Sequence, residues 1–119
     1  MAAPNLRDPA LVIGKTIGYA VTATMADVLV NAAASGKVLK INAIYCSNVD
    51  GVSNAPVELV WRRSGTDTFL AKGIIIPVNA TQILVAREAY LYLEEGDSLR
   101  AKSAAAGDLD LLVSYEDIS

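Results

Sequence analysis

The chain has 119 residues, 53% of them hydrophobic, with a formal net charge of −3, one cysteine and no histidine. The length is that of one domain. A mean hydropathy of +0.37 and a pI near 4.8 argue against a nucleic-acid partner, which is recognised through a basic patch, and against a self-sufficient small core, because a domain of this size cannot hide so much apolar surface within itself.

The opening segment, "MAAPNLRDPALVI", has no basic start, no long apolar run and two prolines, so it does not read as a secretory signal. Residues 1–13 read as an extended arm that docks elsewhere through Leu6, Leu11, Val12 and Ile13; the competing reading is a frayed terminus. Residues 14–119 read as the folded domain. "VIGKT" (12–16) has the tail of a phosphate-binding loop, but the glycine required five residues before Gly14 is Pro9, so the motif is set aside.

Beyond the arm, turns interrupt the chain every eight to twelve residues, and the segments between them alternate with period two. "KTIGYAVTAT" and "ADVLVNA" read as the first strands, with Ala32 to Gly36 as a loop. "KVLKINAIYCSN" sets Leu39, Ile41, Ala43 and Tyr45 against Lys40, Asn42 and Asn48. "PVELVWRRS" sets Val57, Leu59 and Trp61 against Glu58 and Arg62, which makes Trp61 a core anchor.

"DTFLAKGIII" and "TQILVAR" form the middle pair. Ile74, Ile75 and Ile76 are apolar on both faces, so one side belongs to the core and the other to another chain or loop. "AYLYLEE" precedes a last hairpin, in which "DSLRAKSA" turns Leu99 and Ala101 inward. "LDLLVSYED" turns Leu109, Leu111, Val113 and Tyr115 inward. Asp50-Gly51, Ser64-Gly65, Glu95-Gly96-Asp97 and Gly107-Asp108 supply the turns. The expected fold is all-β: an antiparallel β-sandwich of eight or nine short strands, jelly-roll-like, with an extended N-terminal arm.

The chemistry is sparse. Glu94, Glu95, Asp97, Asp108 and Asp110 crowd the last turns, but their spacing is not that of a calcium loop. Acids at turns are also wet, unlike a catalytic pair. They read as turn residues, with Arg100 and Lys102 as cross-strand partners. Without histidine the usual general base and every Ser-His arrangement are missing. Cys46 has no activating neighbour in sequence and reads as structural. Asn79 fits the glycosylation pattern without a secretory signal to support it. No catalytic residue, metal site, cofactor or membrane span is expected.

The stretches "NAAASGKVLKINAIYCSNVDG", "TDTFLAKGIIIPVNATQ" and "YLYLEEGDSLRAKSAAAGDLDLLVSYEDIS" resemble small virion structural proteins of tailed bacteriophages, especially phages of cyanobacteria and other marine bacteria. The resemblance runs from about Lys15 onward. It is sharpest in the "YLEEGDSLR…GDLDLLVSYEDIS" ending, and "VELVWRRSGTD" departs from it. It implies a particle component without catalytic residues, assembled in the host cytoplasm and located in the virion. The foremost reading is a capsid decoration (cement) subunit. Its partners would be the major capsid protein and sister subunits in a homo-oligomer, with a trimer suiting local threefold points of a shell. Its contacts would be Leu6, Leu11, Val12, Ile13, Ile74, Ile75 and Ile76. The alternatives are a tail, neck or fibre component, whose host-binding groove Tyr90 and Tyr92 would line, or a host-surface carbohydrate-binding or cation-binding β-sandwich that uses the acidic turns.

Overall fold

A computed structural model describes residues 4–119. Nine strands follow one another: β1 (Val12–Ala20), β2 (Ala26–Val30), β3 (Val38–Asn48), β4 (Ala55–Arg63), β5 (Thr66–Ile76), β6 (Thr81–Val85), β7 (Leu91–Leu93), β8 (Ser98–Ser103) and β9 (Leu109–Ile118). The one helical element among the described residues is a 3-10 turn at Arg87–Ala89. One sheet has the order β1-β9-β3-β6, with β7 also on β3; the other has the order β2-β8-β4-β5. All pairings are antiparallel. These two four-strand paths, with most connections crossing between sheets, make an eight-stranded jelly roll to which β7 is an addition.

The alternation read from the sequence becomes the core. Ile41, Leu59, Leu93, Leu99, Leu111 and Val113 are fully buried between the sheets. Each such side chain contributes about 1.5–3 kcal/mol relative to exposure. Trp61 is half-buried and packs on the edge of this cluster.

Three local features differ from the simple alternation. In β3 the register on β9 steps from Ile41↔Tyr115 to Ala43↔Ser114, so Asn42 is an extra residue. Its amide donates to Glu116 Oε2 at 2.9 Å. A bulge of this kind inverts the faces beyond it. Ile44, Cys46 and Asn48 therefore point inward, and Tyr45, expected inside, is exposed. Buried Asn48 donates to the carbonyls of Ser53 and Ile76 and accepts from Asp50 N, which satisfies a loop the sheet cannot reach.

In β5 the register on β4 slips twice, at Leu70 and at Gly73. Gly73 has φ +77°, a left-handed geometry that glycine adopts without strain.

The last two strands do not pair with each other. β8 lies between β2 and β4 in one sheet and β9 between β1 and β3 in the other. The expected final hairpin is thus a crossover, as is the connection from β5 to β6. The β4–β5 turn is a tight hairpin, with Ser64 and Gly65 both at positive φ, 51° and 78°, as a two-residue type I′ turn requires.

The N-terminal segment is shorter and less extended than its sequence implies. Leu11 exchanges both backbone hydrogen bonds with Ser119, and Val12 and Ile13 are already in β1. Before them the chain turns: Asp8 N donates to Asn5 O, and Asn5 Oδ1 accepts from Arg7 N. The asparagine side chain holds the backbone in a turn that a continuous arm lacks. Residues 1–3 of the expected arm lie outside the described residues.

Candidate functional site

The expected contact residues fall mainly at two places. Leu11, Val12 and Ile13 are all exposed at the start of β1, and Leu6, also exposed, lies apart from them beside Val38 and Tyr92. Ile74 and Ile75 are 40% and 54% exposed, but Ile76 is at 0%. Ile76 pairs with Ala55 and Ile75 with Pro56, and the alternation turns Ile76 into the core. Its carbonyl is held by Asn48. Ile74 and Ile75 are what β5 leaves outside.

A third apolar surface was not foreseen. On the outer face of the β1-β9-β3-β6 sheet, Leu112, Tyr45 and Ile83 are adjacent across three strands, and all three are exposed. Gly18 of β1 continues this row beside Leu112. The sequence carries no signal for it, because the Asn42 bulge that brings Tyr45 into line with Leu112 is visible only in the register of β3 on β9.

The acids of the closing turns are mostly committed to structure. Asp97 is 1% exposed. Its carboxylate accepts from Glu94 N at 2.8 Å, Arg63 Nε at 2.8 Å and Arg63 Nη2 at 2.7 Å. Arg63 Nη2 also pairs with Glu94. The hydrogen bonds from Asp97 and then Glu94 raise the pKa of this guanidinium above its ordinary value. Glu95 accepts from Gly36 N at 3.2 Å. Arg100 pairs with Asp27 of β2 at 2.8 Å, and Lys102 stands opposite Glu58. Both basic residues were expected beside the turn acids, but β8 lies between β2 and β4 and finds its partners there. Among the described residues no group of three or more acids or cysteines converges as a metal would need.

Asp117 is a second buried carboxylate. Lys15 Nζ and Lys37 Nζ each reach its Oδ2 at 3.1 Å. Burial opposes its ionisation, yet the two ammonium groups outweigh burial and hold its pKa below the ordinary value. The hydrogen bond to Asp117 raises the pKa of Lys15 in turn.

Cys46 is fully buried. Burial, with a smaller contribution from the charge of Asp110, pushes its thiol up to about 11. That is the opposite of an activated nucleophile.

An aromatic hollow is lined by Trp61 and Leu70 of one sheet and by Leu91 and Tyr92 of the other, with Glu94 beside them, and a second by Tyr45 and Tyr90. Arg63 stacks over Trp61 at 4.6 Å. Tyr90 meets Tyr92 edge-on at 5.6 Å, with Lys40 Nζ 4.3 Å from its ring centre. Pro4 and Leu6 line a neighbouring hollow with Val38 and Tyr92.

No family profile and no curated protein matches the sequence. Among solved structures the fold is similar to a protein of Bacillus endospore appendages, described as a novel family of disulfide-linked pili. Identity is 14%, the TM-score is 0.55, and the match covers 92% of this chain and 87% of that one. Two structures of a pentameric capsid protein from metagenomic phage sequences align over 87% of this chain at 17% identity, with TM-scores of 0.38 and 60% and 62% of their lengths covered. What the chain has in common with the appendage protein is the jelly-roll fold.

Proposed function

We propose that this chain is a non-enzymatic virion structural protein of a tailed phage, a capsid decoration subunit that stabilises the head shell by burying surface against the major capsid protein and sister subunits. The carrying observation is apolar surface that the fold leaves uncovered: Leu11, Val12 and Ile13 at the start of β1, Ile74 and Ile75 on β5, and the row Leu112, Tyr45 and Ile83. The row Leu112, Tyr45 and Ile83 is contiguous across three strands, and a contiguous exposed apolar patch marks a contact surface. The resemblance of the closing thirty residues to phage virion proteins supports the same reading. So does the fold in common with an appendage component, itself part of an assembly. The mechanism is additive. Each subunit buries on the order of 1,000–1,500 Å², yields a modest net energy after association costs, and repeats that gain over the shell.

The segment before Leu11 is proposed as a contact that swings from its own subunit to a neighbour. Pro4 and Leu6 of this segment line a shallow hollow with Val38 and Tyr92. The test uses particles lacking the native protein. Full-length chain should co-sediment with them and cover the whole shell under an imaging label, and deletion of Met1 to Asp8 should weaken binding severalfold without lowering the melting midpoint. Label confined to one vertex would move the protein to the tail or neck.

A carbohydrate-binding module is the second reading, favoured by the Trp61–Tyr92 hollow. It predicts saccharide binding that Trp61→Ala abolishes.

A further inference from the structure

We propose that β1 is a pairing edge that joins two copies of this chain antiparallel across a two-fold axis centred on Thr16. A jelly roll has four free sheet edges, and an exposed strand edge is a template for association unless it is blunted. Three of the four are blunted in this chain. β2 has five residues and a register slip between Asp27 and Leu29. β5 carries two bulges, with Lys72 beside the second. β6 has five residues and sits beside a slip of its own. β1 has none of these devices. It is nine residues long, contains no proline, and keeps unbroken register with β9 from Val12 to Ala20. Its one lysine, the usual edge guard, is tied back to Asp117 at 3.1 Å.

The hydrogen bonding says which groups are free. Leu11 exchanges both bonds with Ser119, and Val21 N donates to Leu109 O. Antiparallel pairs alternate between bonded and non-bonded, so in unbroken register residues 13, 15, 17 and 19 also bond to β9. The N–H and C=O groups of Val12, Gly14, Thr16, Gly18 and Ala20 therefore point away from the sheet. An antiparallel partner satisfies them with about ten hydrogen bonds, the number a standard protein interface carries.

The side chains select a second copy. About Thr16, Gly14 lies opposite the partner's Gly18 and Val12 opposite the partner's Ala20. A Cβ placed on Gly14 or Gly18 would meet nothing within 4 Å, so glycine is not demanded there by the subunit itself. In the dimer it keeps the outer face of the seam flat. Ile13 lies opposite the partner's Tyr19, a favourable aromatic–β-branched pair. Lys15 meets the partner's Ile17 rather than another charge. A ring of higher order would require β1 to pair with a different edge, and the others are blunted. The dimer joins two four-strand paths into one continuous eight-strand sheet and carries the Leu112, Tyr45 and Ile83 rows of both copies on one face. This arrangement is a two-fold, where the sequence reading suggested a homotrimer.

Sedimentation of the full chain at micromolar concentration should give a dimer. Thr16→Pro removes an N–H that bonds nothing in the monomer, so its dissociation constant should rise at least tenfold with the β signal retained. Thr16→Lys sets like charges against each other at the axis and should act the same way; it decides the matter if the proline variant does not fold. Thr16→Cys should form a disulfide dimer on mild oxidation, because Cα atoms of a bonded antiparallel pair lie about 5.5 Å apart, within disulfide range. Val12→Cys, distant from its own copy, should not. A monomer, a trimer or a pentamer in solution would overturn the proposal. So would a dimer that survives both Thr16→Pro and Thr16→Lys, or the absence of a cross-link through Thr16→Cys.

Discussion

Arg63 grips Asp97 with two parallel hydrogen bonds, Nε to Oδ1 at 2.8 Å and Nη2 to Oδ2 at 2.7 Å. The first residue ends β4 and the second lies in the turn before β8, so the pair fixes the β7–β8 connection to the end of the neighbouring strand. Asp97 also accepts from Glu94 N. Asp97→Ala should lower stability by about 1–3 kcal/mol, since it strips a part-buried N–H and a guanidinium of their acceptor. Arg63→Lys should also lower the melting midpoint, because a single ammonium cannot reproduce the fork. Thermal melts of both variants check this. Unchanged midpoints would reduce the pair to surface decoration.

Asp117 gives the protein a pH signature. Its carboxyl is held below the ordinary value when folded. Its contribution is thus present above the unfolded pKa of about 3.9 and is lost as pH falls through the folded value. Lys15 is shifted the other way. Its contribution is present below about 10.4 and is lost as pH rises through its folded value. Asp117→Asn should be less stable than the parent at neutral pH, and the gap should close in strong acid. A gap that persists unchanged at pH 2 would assign the effect to packing.

Ile75 and Ile76 are adjacent in sequence and opposite in fate. Ile76→Ala should cost about 2–5 kcal/mol, as a cavity in a closed core does. Ile75→Ala should stay within about 0.5 kcal/mol of the parent in the isolated subunit. Denaturant titration of the two variants measures the contrast. Equal losses would mean that Ile75 is covered within one subunit.

Cys46 should resist modification. With its thiol at about 11 and buried, a thiol-specific reagent at pH 8 should react slowly with the native chain and promptly once the chain is denatured. Prompt native labelling would show that the end of β3 opens.

The strands themselves were legible. "LDLLVSYED" keeps Leu109, Leu111, Val113 and Tyr115 in the core as read, whereas "PVELVWRRS" buries Val57 and Leu59 as read but also Val60, and leaves Trp61, expected as a core anchor, half-buried at the edge of the core. The turn acids were expected to be wet, but Asp97 is buried because its carboxylate accepts from Arg63 and from Glu94 N, and Glu95 accepts from Gly36 N. Asn42 was not legible as a bulge. An asparagine in an alternating segment carries no mark of an extra residue, and its effect is to exchange Tyr45 for Cys46 inside. The Leu112–Tyr45–Ile83 row escaped for the same reason.

Alternation, turn residues and the absence of histidine were sufficient to determine an antiparallel sandwich without the usual base. Those properties are local: a period of two, a glycine at positive φ, a residue type present or missing. Which strands pair is a different matter. β8 and β9 look like a hairpin in sequence, yet each finds its partners in a different sheet. Pairing is decided by burial of both sheet faces at once, and no single segment records that. The exposure of Ile74 and Ile75, the capture of Lys15 by Asp117 and the unguarded edge of β1 are all consequences of that arrangement. They arise between elements distant in sequence, so only the tertiary structure decided them.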